Sequence, residues 1–372
     1  VRQLAAAASL VLLSASLGAP ASAGVVRVVA PAPAHAGYVI PDGMSPDAQV
    51  RGWLQFGYDS GHSGNNPSDK AFTAKNLSKV QIAWNDQSII QPGGIVVGGS
   101  VAYVDDMGQA GEGLYALDTA TGAQKWYTPL GLNGSWGSFT HAVAAVAGNI
   151  VVSPCSNGSS SKFLTGVCGV NAKGGKVLWA TYCMEYQGNP CGGLTNGGTS
   201  PALYNGLIYL QMVEGVNEQP DTEAINPKTG ARVWDVAGVY HCPDAGEASG
   251  NPLPALNGRV FAVMGCQAPQ GATAICALSA SSGTAAWCDT SPTAYIQDVI
   301  AADSKVFLTE PGGSGVALVA LDATSGAPGW STMLPGANGS TIAAANGKVF
   351  VNQPGKGVYA LSATTGDMLW SN

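Results

Sequence analysis

The sequence predicts an all-β fold, a β-propeller built from four-stranded blades. An eleven-residue phrase recurs six times along the 372 residues. A hairpin-turn signal precedes each copy. The copies are spaced by about the length of four short strands and their turns, and self-similarity at such a period is the mark of a ring or array of repeats.

The phrase begins with Ala (once Gly), has Asp, Asn or Ser third and Gly seventh, and ends in Trp. Its copies are Ala116 to Trp126, Gly169 to Trp179, Ala224 to Trp234, Ala277 to Trp287, Ala320 to Trp330 and Ala360 to Trp370. The terminal Trp residues at 126, 179, 234, 287, 330 and 370 are 53, 55, 53, 43 and 40 positions apart. Each copy reads as a short strand, a turn in which the polar third residue bonds its own backbone and Gly takes positive φ, and a second strand ending in Trp. Upstream of each copy lies another apolar pair broken by a turn, as in Leu253 to Ala262 around Asn257-Gly258 and Ile342 to Val351 around Asn346-Gly347, and Asn-Gly is a strong hairpin signal. Two hairpins make one blade. A Trp recurring once per blade is expected between neighbouring blades, because its indole removes on the order of 200 Å² from water and its N–H needs a partner there.

Taken in chain order, residues 1–23 read as a signal peptide: Arg2, an apolar run from Leu4 to Leu17, and Ala21-Ser22-Ala23 as a small-x-small cleavage site, with Ala34-His35-Ala36 a second candidate. No Cys follows the apolar run, so no lipid anchor is expected. Residues 24–50, rich in Pro and Ala, are expected to be a loose tether, and residues 51–372 the propeller. Leu77 to Trp84 reads as a further Trp-ending strand, 42 positions before Trp126. Such a strand completes the last blade of a closed ring, yet no partner strands follow Trp370. The expectation is therefore six complete blades plus one strand of a seventh, in a chain that is either truncated or an open ring.

Composition agrees. Fifty-one Gly and 10% charged residues suit many turns between small-residue strands, and a net charge of −7 speaks against a nucleic-acid partner. No apolar run after the leader reaches the ~18 residues of a membrane span. Eight Cys fit an oxidising, extracytoplasmic compartment. Aligned on the repeat, they suggest Cys155–Cys168 and Cys266–Cys276, each bridging adjacent strands across a long loop. Cys183–Cys191 reads as a loop staple, and Cys242–Cys288 is left by elimination, with Cys276–Cys288 across a hairpin as the alternative.

The phrase Ala-x-Asp-x-x-Thr-Gly-x-x-x-Trp resembles the tryptophan-docking motif of quinoprotein-type, PQQ-like β-propellers. The leading segment Trp53 to Gly64, with Gly57, Asp59 and His62, also resembles the start of that family's propellers. The resemblance covers roughly residues 50–372 and is closest in style to the non-enzymatic secreted members. It implies docking roles for Trp84, Trp126, Trp179, Trp234, Trp287, Trp330 and Trp370. The family includes PQQ-dependent dehydrogenases as well as cofactor-free propellers such as the outer-membrane assembly scaffold lipoprotein, so it implies a fold more than an activity.

Candidate sites belong on the face opposite the phrase's turn, where the long loops gather. Aligned on Gly99, Gly148, Gly206, Gly258, Ser304 and Gly347, the starts of the innermost strands place His141, Thr199, Asn251, Gln297, Asp298 and Ser340 round the channel mouth as a candidate ligand ring. Asp105, Asp106 and Glu112 form a weak candidate calcium loop, and Glu214, Glu218 and Asp221 another; both lack calcium-loop spacing and read as solvated turns. Trp136, Tyr182, Tyr186, Tyr240 and Tyr295 are loop aromatics that either stack on a ligand or pack under the loops. His62 is expected to serve the packing of its own segment. No Cys-x-x-Cys, Gly-x-Ser-x-Gly or His-Glu-x-x-His occurs.

The expected function is a binding or interaction scaffold outside the cytoplasm, without catalysis or cofactor, for a protein or a small-molecule or carbohydrate ligand. The alternative implied by the resemblance is a PQQ- and calcium-dependent dehydrogenase of an alcohol or sugar, with Asp298 as base. Dehydrogenases of that kind are typically longer, and many carry an adjacent Cys pair that this chain lacks. A carbohydrate-active propeller with paired carboxylates is a third reading.

Overall fold

The computed structural model describes residues 24–27, 52–67, 81–89, 92–106, 113–131, 144–159, 162–182, 200–213, 220–236, 253–265, 273–289, 296–312, 315–336 and 340–372. Every regular element among them is a strand. Blade one comprises Pro92–Gly98, Val101–Asp106, Gly113–Asp118 and Gln124–Pro129; blade two Ala145–Ala147, Ile150–Ser159, Lys162–Asn171 and Val177–Tyr182; blade three Ala202–Tyr204, Leu207–Val213, Pro220–Ile225 and Arg232–Val236. Blade four comprises Ala255–Leu256, Arg259–Gly265, Thr273–Ser279 and Ala285–Asp289; blade five Asp298–Ala302, Lys305–Gly312, Gly315–Asp322 and Pro328–Pro335; blade six Thr341–Ala345, Lys348–Gln353, Gly357–Ser362 and Met368–Ser371. Each is an antiparallel meander in sequence order, the outcome the hairpin signals predict.

The first hairpins are closed by two-residue turns of two kinds, and the difference corrects the alignment of the repeats. In blades three to six the pairs Asn205-Gly206, Asn257-Gly258, Asp303-Ser304 and Asn346-Gly347 have positive φ at both positions. In blades one and two the turns are Gly99-Ser100 and Gly148-Asn149, with positive φ at Gly alone. A type I′ turn places Gly second and a type II′ turn places it first. Aligning on Gly therefore shifts blades one and two by one residue against the other four.

The core lies between blades, where sheets pack face to face. Ile300, Phe307 and Leu318 of blade five meet Ile342, Ala344 and Val349 of blade six, and burying each such large side chain is worth about 1.5–3 kcal/mol. The Trp residues tie these seams. Trp126, Trp179, Trp234, Trp287 and Trp330 donate their indole N–H to Ala172, Pro227, Ala280, Ala323 and Ala363 carbonyls of the next blade's phrase at 2.9–3.3 Å. Each indole covers the phrase's seventh residue. At Gly283 (φ +71°), for example, a Cβ would stand 2.8 Å from the Trp234 ring. Only Gly meets both demands, positive φ and that close approach.

Trp84 docks in the same way on blade one, through Thr119 O at 3.0 Å. Its strand, Gln81–Asn85, pairs with Gly24–Arg27, inside the stretch expected as a tether, and not with any strand of blade six. The ring of described strands is open between blade six and this ribbon. With Ile89, Trp84 covers the flank of blade one formed by Ala102, Val104 and Leu117.

The leading segment runs through the hub. Gly52–Trp53 adds a fifth strand inside blade one, with Trp53 opposite Val97. Carbonyls of Leu54, Ser60, Gly61 and Ser63 then accept the N–H of Val146, Ala255, Ala301 and Ala344 at 2.5–2.8 Å. The Gln55 amide exchanges two bonds with the backbone of Leu203, at 2.6 and 3.2 Å. In the corrected register all six contacted residues are equivalent, one per innermost strand. Within the segment, Asp59 caps Ser63 through backbone N–H and hydroxyl. His62, 1% exposed, packs edge-on to Phe56, and burial lowers its pKa to about 3. It is a neutral packing residue, as expected.

Two disulfides are described. Cys155–Cys168 joins the second and third strands of blade two, as the repeat alignment suggests. Cys276 instead bonds Cys288, which overturns Cys266–Cys276 and Cys242–Cys288. The reason is register: Cys276 and Cys288 are direct partners on the third and fourth strands of blade four, with Cα atoms 4.1 Å apart. Cys183, Cys191, Cys242 and Cys266 lie outside the described residues.

Candidate functional site: the loop-face mouth of the channel

The leading segment meets the innermost strands near their turn-face ends. From there to the residues aligned with Ser340 is four positions, or about 13 Å along a strand. The turn-face mouth is thus lined by the chain's own backbone, and the loop-face mouth is where a ligand would be met. Of the candidate ring, Gln297, Asp298 and Ser340 are described; His141, Thr199 and Asn251 lie outside the described residues. The three are brought together where blade five meets blade six.

Ser340 Oγ donates to Gln297 Oε1 at 3.0 Å. Asp298 Oδ2 accepts the Ile342 N–H of blade six at 2.8 Å, and Oδ1 accepts the N–H of Val299 at 2.9 Å. Burial pushes the Asp298 carboxyl up to about 6, against the pull of those two backbone bonds. Each oxygen accepts a backbone N–H, one from its own strand and one from blade six, so Asp298 joins the two blades. Two residues not foreseen from the sequence stand at the same seam. Thr309, the cross-strand partner of Asp298, is fully buried, and Gln353 is 1% exposed. Among the described residues neither the Thr309 hydroxyl nor the Gln353 amide finds a hydrogen-bond partner, and buried polar groups in that condition mark places suited to a bridging water or a small polar group. The signal that could have found Thr309 is its pairing with Asp298 across the Asp303-Ser304 turn.

The acidic loop candidates dissolve into strands. Asp105 and Asp106 end the second strand of blade one and are buried. Asp105 accepts the Ala144 N–H of blade two at 3.0 Å and the Ser153 hydroxyl at 2.5 Å, and burial pushes its carboxyl up to about 7. Ala144 and Ile342 hold the same repeat position in their blades, so Asp105 and Asp298 cap equivalent N–H groups at the first and last blade seams. Glu112, Glu214 and Glu218 lie outside the described residues, and Asp221 is a strand residue of blade three. Among the described residues no three His, Cys, Asp or Glu side chains gather as a metal site. Tyr182 packs half-buried against blades one and two; Trp136, Tyr186, Tyr240 and Tyr295 lie outside the described residues. No helix among the described residues is long and apolar enough to cross a membrane.

A family model described as outer membrane protein assembly factor BamB matches residues 71–216, 220–318 and 312–372. No curated protein matches the chain. Among solved structures, BamB from Moraxella catarrhalis is similar at a TM-score of 0.55 and 18% identity, over 78% of this chain and 80% of that one. Quinohemoprotein alcohol dehydrogenase from Comamonas testosteroni gives 0.53 and 13%, over 89% and 75%. The quinohemoprotein alcohol dehydrogenase ADHIIG from Pseudomonas putida HK5 gives 0.56 and 13%, over 88% and 73%. At these identities the likeness is one of fold. The repeated docking Trp, the blades it joins and the family match over most of the chain agree: this chain belongs to the PQQ-like β-propeller repeat family of the outer membrane protein assembly factor BamB.

Proposed function

We propose that the chain is a non-catalytic binding propeller that works outside the cytoplasm and presents its loop face to a protein or to a small polar or carbohydrate ligand. The observation that carries this reading is the state of Asp298, the one base named for the dehydrogenase alternative: it is half-buried and both its oxygens accept backbone N–H groups of its own frame. A quinone with three carboxylates also needs cations beside it, and calcium needs converging oxygens. Among the described residues Lys173 and Lys228 stand in the phrase turns, Lys125 pairs with Asp118 at 3.0 Å and Arg232 with Glu223 at 2.9 Å, and no acidic trio converges as a calcium site. An extracytoplasmic site of action is supported by the leader-like start and by the disulfides.

The test is reconstitution of the purified protein with PQQ and Ca²⁺, followed by dye-linked oxidation of a panel of alcohols and sugars. No turnover and no change in the quinone absorbance are expected. Turnover that disappears in Asp298→Asn would overturn the proposal in favour of the dehydrogenase.

A further inference from the structure

We infer that residues 52–64 act as a hub clasp: they tie all six blades together, blade six to blade one included, and they seal the turn-face mouth of the channel. Among the described residues no sheet joins blade six to blade one or to the Trp84 ribbon. The leading segment meets every blade. It starts in the sheet of blade one, Trp53 opposite Val97, and reaches blade six at Ser63 O, which accepts the Ala344 N–H at 2.8 Å. Between these ends it meets the blades in their order round the ring: Leu54 with Val146, Gln55 with Leu203, Ser60 with Ala255, Gly61 with Ala301. Each blade thus pairs one equivalent inner-strand residue with the same continuous thirteen-residue segment.

The segment is built to sit there. Leu54, Gln55, His62 and Ser63 are 7%, 6%, 1% and 5% exposed, so its side chains are part of the interior and not a strap laid over a surface. Gly57 takes φ +63°, and a Cβ there would stand 2.5 Å from the backbone of His62. A Cβ on Gly61 would collide with the Ala301 carbonyl. The turn at Asp59 to Ser63 is tied by the Asp59 carboxylate, which sets the spacing between the carbonyls that meet blades four, five and six. The clasp connects the first and last blades from the inside.

Hydrogen exchange on the full chain tests this. In Gly61→Val the added side chain displaces the segment from blade five. If the segment is a clasp, the amides of Val146, Ala255, Ala301 and Ala344 lose protection together, at least tenfold more than mid-sheet amides such as those of Val263 and Leu308. Gly148→Val serves as the control, a hairpin-turn substitution with φ +64° and nothing within 4 Å of the new Cβ; it destabilises without that selective, shared loss. Loss confined to Ala301, or equal loss at all amides, overturns the inference. Should Gly61→Val fail to fold, Gln55→Ala removes only the bonds to blade three. Faster exchange at Ala255 and Ala344 as well as Leu203 then supports the clasp, and loss at Leu203 alone overturns it.

Discussion

Asp105→Asn is expected to stabilise this protein at pH 8 and to leave it nearly unchanged at pH 4. Burial pushes the Asp105 carboxyl from 3.8 up to about 7. A group whose folded pKa lies above its unfolded value binds its proton more tightly in the native state. Its contribution is complete below the unfolded pKa and is lost as pH rises through the folded pKa. A shift of that size sets an upper bound of roughly 4 kcal/mol on the stability lost between pH 4 and pH 8. The amide is neutral throughout. Its oxygen can accept the Ala144 N–H, and the Ser153 hydroxyl, which donates to the carboxylate, can turn to accept from the amide NH₂. Urea unfolding of both proteins under non-reducing conditions, at pH 4 and pH 8, measures the difference. A gain of at least ~1 kcal/mol at pH 8, with a flatter pH profile, is expected. A loss at pH 8 refutes the reasoning, since the ionised carboxylate would then be worth more to the seam than its desolvation costs.

Three further outcomes follow from the same geometry. Gly283→Ala forces a Cβ to 2.8 Å from the Trp234 ring at φ +71°, whereas Gly258→Ala (φ +77°) meets nothing within 4 Å; thermal melts should show the first costing about 2–4 kcal/mol and the second about 1. Trp179→Phe leaves the Pro227 carbonyl without its indole donor, but Trp234→Phe leaves the Ala280 carbonyl still bonded to the Tyr209 hydroxyl at 3.0 Å; the first should be the more damaging by about 1 kcal/mol in denaturant unfolding. Non-reducing peptide mapping should recover Cys155 linked to Cys168 and Cys276 linked to Cys288, and a Cys266–Cys276 peptide would contradict the register of blade four.

The docking Trp residues were legible because one geometric demand, an indole over a positive-φ Gly, recurs in every blade and leaves the same two letters each time. The channel ring was legible only in part. Gln297, Asp298 and Ser340 came out together at one seam, while Gly serves two hairpin turns that differ by one position, so aligning on the letter mixes two registers. Asp105 read as a loop acid because its neighbours are acidic and Gly-rich; its pairing with Ser153 and Ala144 joins residues 48 and 39 positions away, and no local pattern carries that.

By itself the sequence determined the repeat, the strand pairs, the turns and the residues that join one blade to the next, because each depends on side chains a few positions apart. Tertiary structure alone decided which Cys meets Cys276, that the Asp105 and Asp298 carboxylates brace the first and last seams, and that the leading segment passes through the hub to touch all six blades. Those features depend on which backbone N–H and C=O groups come to face one another once the sheets are arrayed round an axis. Backbone groups are alike at every non-proline residue, so their pairing between distant segments, with no turn between them to set it, leaves no trace in the letters of the chain.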